Sequence, residues 1–204
     1  MKLIAETLSV MRGDRMVVTQ LTFSVDGGEA LVLTGPNGAG KTTLIRAIAG
    51  LLRPVGGQIR LEGAQPERTP SEECHYVGHL NGVKASLTVE ENATFWSRYL
   101  GGAPADLGPA LATFGLAGAR DVPAGYLSTG QRRRLALARL LLAKRPIWLL
   151  DEPTVSLDRA AQEILAKVVD AHLAGGGLVV AATHLPLGLA RSRELVLGTA
   201  AIAA

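Results

Sequence analysis

Disulfide chemistry is closed to this chain: only one of its 204 residues, Cys74, is a cysteine, and a single thiol cannot form an internal bridge. The expected setting is a reducing compartment. Aromatic residues make up only 4% of the sequence, too few for a platform on which the bases of a single strand would stack. No apolar run approaches the roughly 18 residues that a bilayer-spanning helix needs. The N-terminus, MKLIAETLSVMRGDR, carries Glu6 and no long apolar stretch, so it does not read as a signal peptide. Any membrane role therefore has to run through a partner. The net charge is only +3 and forms no broad basic stripe, so nucleic acid is not an expected partner.

What the chain does have is apolar residues, 48% of the total, and 24 glycines, well above the usual ~7%. The length fits a single domain, 1–204. The order of elements predicts an α/β fold. Leu3–Val10 and Met16–Val25 read as two strands joined at Arg12-Gly13-Asp14, an N-terminal antiparallel part. Ala30–Thr34, Ile147–Leu150 and Leu178–Thr183 are short continuous apolar runs of the kind buried in a parallel sheet. Gln58–Glu62 and His75–Val77 read as further short strands. Helices are expected over Lys41–Leu52, Val89–Leu100, Ala110–Leu116, Gln131–Lys144 and Arg159–Leu173. The stretch from roughly 80 to 145 reads as a helical subdomain inserted in a parallel-sheet core.

The strongest motif follows the Ala30–Thr34 run. Gly35, Pro36, Asn37, Gly38, Ala39, Gly40, Lys41 and Thr42 fill every fixed position of G-x-x-x-x-G-K-[ST], between a strand and a helix as the motif requires. Glycines let backbone N–H groups turn inward around phosphates, and the helix N-terminus adds its positive dipole end. Lys41 supplies a point charge for the β- and γ-phosphates and Thr42 a hydroxyl for Mg²⁺, with Thr43 beside it. The apolar run 147–150 ends at Asp151 and Glu152. Asp151 is placed for the Mg²⁺ shell, and Glu152 can accept a proton from an attacking water. The segment Leu127, Ser128, Thr129, Gly130 and Gln131 opens a second helix with a hydroxyl and backbone amides suited to an anion. One γ-phosphate can hardly face both helices in a compact monomer, and a second copy of the chain resolves the conflict.

Taken in order, GPNGAGKT, LSTGQ, WLLDEP, SLD and ATH resemble the motifs of ATP-binding subunits of ABC transporters. The resemblance extends from about Leu3 to Leu197. It implies a P-loop NTPase core, ATP and Mg²⁺ as ligands, and two subunits that sandwich two ATP molecules head to tail. Each ATP would lie between the Gly35 loop of one subunit and the Ser128 segment of the other. It also implies that Glu152 is the general base, that His184 contacts the γ-phosphate and holds the water, and that Ser156 and Asp158 form a loop facing the opposite subunit. Three departures stand out. Thr129 replaces the usual Gly, His79 replaces a Gln and as a histidine could still bond a water or the Mg²⁺, and Arg12 replaces the aromatic that ordinarily stacks on adenine. A guanidinium plane can stack on a base too.

Within that family, Gly78–Lys84, the run Leu127–Leu142 and Trp148 resemble the ATP-binding subunits of the bacterial cytochrome c maturation (Ccm) heme exporter. That resemblance implies a membrane permease partner, CcmB, with CcmC and CcmD. It implies a homodimer of ATPase subunits at the cytoplasmic face of the inner membrane, and an indirect link to heme and a periplasmic heme chaperone. Its output would be heme export or release of the heme-loaded chaperone. The alternatives are another ABC exporter or a soluble ABC-type ATPase; a small-molecule kinase would leave LSTGQ and SLD unexplained. Among weaker signals, Cys74-His75 and His79 match no strong metal spacing and read as structural or solvent-facing. Phe95, Trp96 and Tyr99 read either as core of the helical insert or as a surface receiving a membrane partner's helix. Arg132-Arg133-Arg134 reads as a solvated helix start or a subunit contact.

Overall fold

The computed structural model describes residues 1–63, 68–101, 107–184, 187–189 and 191–198. β1 (Lys2–Arg12) and β2 (Arg15–Asp26) form an antiparallel hairpin, and β4 (Gly56–Glu62) flanks β1 on its other side. The hairpin closes in two residues, with Gly13 at φ 60 and Arg12 opposite Arg15. β3 (Ala30–Thr34) leads into α1 (Lys41–Ile48), and with β5 (Cys74–Val77), β6 (Ile147–Asp151), β7 (Leu178–Ala182) and β8 (Ser192–Val196) it forms a parallel sheet in the order β5-β6-β7-β3-β8. Between β5 and β6 the described chain holds α2 (Val89–Tyr99), α3 (Gly108–Thr113), α4 (Thr129–Ala138) and short 3₁₀ turns; α5 (Arg159–Ala174) links β6 to β7.

Alternation along the buried strands divides the core in two. Ile147 and Leu149 face a layer made by α1 and the antiparallel sheet, together with Leu31, Leu33, Leu178 and Val180. Trp148 and Leu150 face the other way, with Val179 and Ala181, toward α2–α5. Both faces are covered, which is why these strands read as unbroken apolar runs. The carboxyl ends of β3, β6 and β7 meet along one edge of the sheet, beside the point where strand order reverses, and that is where open α/β sheets bind ligands.

Several boundaries differ from the expectations. α1 stops at Ile48, because Gly50 turns left-handed at φ 72 and the Leu51 amide bonds back to Arg46 O at 2.9 Å, a glycine-dependent stop that acts before Pro54. α3 lies earlier than 110–116: Pro109 fits its first turn and Gly115 at φ 67 follows its end. α4 also begins earlier, at Thr129, and gives way to a 3₁₀ turn at Arg139–Leu141. β8 was not foreseen; it is a largely exposed edge strand carrying Arg193 and Glu194, so it lacks the apolar run that marks the inner strands.

Cys74 and His75 are both buried, at 6% and 1% exposure, so the solvent-facing alternative is set aside. Burial pushes the Cys74 thiol up to about 11 and pulls His75 down to about 4. His75 Nε2 donates to Ala143 O at 2.8 Å. Of the three aromatics on α2, Phe95 and Tyr99 are 53% and 70% exposed, which corrects the core reading for those two. Trp96 is partly buried, donates to Gly82 O, and lies under the Arg139 guanidinium.

Candidate nucleotide site

The loop after β3 is shaped by backbone that only glycine tolerates. Gly35 stands at φ 127, where an added Cβ would fall 2.2 Å from Leu197 O, and Gly40 at φ 100 packs against Val17. Gly40 caps α1 without any side-chain hydrogen bond. The first-turn amides are therefore left for a ligand. Lys41 is buried, and its Nζ donates to Gly35 O at 2.7 Å and Pro36 O at 3.1 Å, so its charge is held at the loop. Asn37–Thr43, Glu152, His184 and the hairpin residues Arg12, Arg15, Met16 and Val17 line a cavity of about 330 Å³.

β6 delivers the carboxylates. Asp151 is 1% exposed; its Oδ1 accepts from Thr42 Oγ1 at 2.9 Å, while Oδ2 is buried without a hydrogen-bond partner among the described residues. Glu152 is non-glycine at φ 49, a conformation uncommon for such a residue. Its amide donates to Ala182 O at 2.8 Å, and its carboxylate lies 3.4 Å from His184 Nε2 and accepts from the His184 amide at 3.4 Å. β6 and β7 are neighbours in the sheet, so their ends bring this Glu–His pair together across 32 residues of sequence.

The second anion-suited helix is arranged differently. Ser128 caps α4: its Oγ accepts from the Gln131 amide at 3.1 Å, and Gln131 Oε1 accepts from the Ser128 amide at 2.8 Å. The Ser128 proton remains available to donate outward. Leu127 is buried, whereas Ser128 and Thr129 are exposed, and none of Leu127, Ser128, Thr129, Gly130 or Gln131 lines the phosphate-loop cavity. A Cβ on Gly130 would come within 3.0 Å of Ser156 O, so this segment abuts the loop that carries Ser156 and Asp158. Asp158 caps α5, accepting from the Ala161 amide at 2.8 Å.

His79 is exposed and does not line the cavity. Arg12 does line it, and the sequence reading missed its companions Arg15, Met16 and Val17. The signal was available: the hairpin places Arg15 directly opposite Arg12, and directly opposed residues share a face. Arg133 corrects the expectation of a solvated or intersubunit arginine, because it is 3% exposed and bonds within its own chain.

The profile of the ABC transporter family matches residues 18–155, which include the phosphate loop, the Ser128 segment and the Asp151–Glu152 pair. The chain belongs to the ABC transporter family. As an ABC ATPase it binds and hydrolyses ATP. Its relatives include the cytochrome c biogenesis ATP-binding export protein CcmA of Rhodopseudomonas palustris strain BisB5, 54% identical over 95% of this chain and 96% of that protein. The protein of that name in Rhizobium meliloti strain 1021 is 53% identical over 96% and 97% of the two chains. A solved ATP-binding subunit of an ABC transporter superposes with a TM-score of 0.81 at 28% identity, covering 91% of this chain and 80% of the other. No helix among the described residues is long and apolar enough to cross a membrane.

Proposed function

We propose that this ABC ATPase powers a membrane complex of cytochrome c biogenesis, driving heme export or release of a heme-loaded chaperone to the periplasm. The observation that carries the reading is the similarity, above 50% identity and nearly end to end, to relatives named for ATP-binding export in that process. Among the chain's own residues, Lys41 and the α1 amides hold the phosphates of ATP. Glu152 accepts the proton of the attacking water, and His184, 3.4 Å away, orients that water and the γ-phosphate. Thr42 and Asp151 would hold Mg²⁺: they are hydrogen-bonded to each other, and the unpartnered Asp151 Oδ2 supplies a hard oxygen donor. Bound Mg²⁺ would neutralise charge on the phosphate oxygens.

Because Ser128 is exposed and outside the cavity, its hydroxyl and the α4 N-terminus are best used by ATP held on a second copy of the chain. A membrane permease such as CcmB, acting with CcmC and CcmD, would engage the groove of about 870 Å³ between α2 and the sheet. Exposed Leu51, Phe95 and Tyr99 lie at or beside this groove. In such a complex the subunit would sit peripherally on the cytoplasmic face of the inner membrane. The test is a deletion strain assayed for c-type cytochromes by heme stain, complemented by wild type and by Glu152→Gln. Loss of c-type cytochromes restored only by wild type is expected; normal levels in the deletion strain would reject the process assigned.

A further inference from the structure

α4 runs from the Ser128 segment beneath both loops that flank the end of β6, and Arg133 occupies its second turn. The Arg133 guanidinium is buried and spends its donors on acceptors from two separate segments. Nη1 donates to Gly78 O at 2.8 Å and to Asn81 Oδ1 at 3.1 Å; Nη2 donates to Asp151 O at 3.1 Å and to Glu152 O at 2.7 Å; Nε donates to Pro153 O at 3.3 Å. These direct partners are four carbonyls and one amide oxygen, with no carboxylate among them. A buried cation held in this way is costly, and a planar fork of five donors is the one side chain that reaches such an array. Burial lowers the pKa of Arg133, while the nearby Asp151 and Glu152 charges oppose that shift.

The backbone it grips is itself unusual. Glu152 holds φ 49, and such a conformation persists where surrounding bonds over-determine it. The peptide before Glu152 is tied to β7 through Ala182 O, and the peptide after it is tied to α4 through Arg133. We infer that Arg133 is a positioning residue: it aims the Glu152 carboxylate at the phosphate cavity and ties that aim to the helix bearing Ser128 and to the 78–81 loop. The inference rests on the reading of Glu152 as the general base.

The test uses the purified full-length chain with Mg²⁺ and ATP, measuring equilibrium ATP affinity and single-turnover phosphate release. Arg133→Met keeps the aliphatic bulk and removes the fork. Hydrolysis should fall by up to about 10²-fold, the scale of a catalytic group displaced by about 1 Å, with ATP affinity within about threefold of wild type. Arg133→Lys keeps the charge but cannot span both loops; it should fold by circular dichroism, bind ATP, and hydrolyse well below wild type. Should Arg133→Met not fold, the Lys variant carries the test. Arg134→Met removes a neighbouring arginine whose bond goes to Phe114 O, and it should keep hydrolysis within about threefold.

The decisive comparison adds Arg133→Met to Glu152→Gln. If Arg133 acts through Glu152, the double variant is no slower than Glu152→Gln alone. An equal loss in both backgrounds, or wild-type hydrolysis by both Arg133 variants, overturns this inference and leaves the base assignment standing. Near-wild-type hydrolysis by Glu152→Gln overturns the base assignment and this inference with it.

Discussion

Two helices of this molecule begin at glycine-bearing segments suited to anions, and they treat their first-turn amides in opposite ways. α1 is capped by Gly40 with no side-chain bond, and its N-terminus is walled by the β1–β2 hairpin, Glu152 and His184. α4 fills its own cap with the Ser128–Gln131 pair and presents that end at the surface. A vacant cap inside a wall is a binding cavity within one chain. A filled cap on an exposed face keeps the helix stable without a ligand, since such caps contribute about 1 kcal/mol, and it leaves the outward hydroxyl for a group delivered by another molecule.

Changes at the exposed N-terminus of α4 should therefore alter turnover and spare binding. Ser128→Asp keeps a good N-cap but turns a negative charge toward an incoming phosphate. We expect hydrolysis to fall by about 10³-fold, in line with loss of a charge-stabilising donor, while the isolated chain binds ATP as wild type does. If binding falls equally, the two helices serve one intramolecular site and the contrast between them collapses. Glu152→Gln comes next: about 10²-fold or more slower hydrolysis, because proton acceptance is lost, with ATP affinity retained and an ATP-bound dimer accumulating in light scattering. A monomer with wild-type turnover would remove Glu152 from the chemistry.

The sheet beneath both helices carries a pH-dependent contribution that belongs to neither. His75 is buried and neutral, with its pKa pulled down to about 4 from 6.5 chiefly by burial. The unfolded chain therefore takes up this proton first, and stability falls as pH drops from about 6.5 to about 4. By linkage the full loss is about 3 kcal/mol. Urea midpoints at pH 7 and pH 5 should differ in that direction, and His75→Gln should flatten the difference; an unchanged slope would show that His75 is not the titrating group.

The smallest effect is expected at the cavity mouth. Arg12 lines the cavity, and if it takes the place of a base-stacking aromatic, binding rests mainly on phosphates. Arg12→Ala should weaken ATP and GTP alike by no more than about tenfold, measured by titration in Mg²⁺. A hundredfold preference for ATP in the wild type would reveal a base-reading contact elsewhere.

Much of the candidate chemistry was legible because it is local. The phosphate loop, the apolar run ending in Asp151 and Glu152, and the Ser128 helix start are contiguous segments whose residue types fix their conformation. Where the reading failed, the deciding contact was distant in sequence. Arg133 read as part of a solvated helix start or a subunit contact until the fold placed Gly78, Asn81 and residues 151–153 around it. Phe95 and Tyr99 had helical spacing, but which side of α2 is covered depends on what packs against it. β8 escaped notice because an edge strand need not be apolar.

The sequence by itself determined the phosphate loop, the alternation of buried strands with helices, and the family, since each is written in short runs governed by backbone sterics and hydrophobic period. Only the tertiary structure decided that Glu152 meets His184, that Arg12 and Arg15 reach the cavity, and that Arg133 is buried between two loops. Those outcomes depend on which strand ends are neighbours and which helix lies beneath them, and hydrophobic packing sets that arrangement over the whole chain at once.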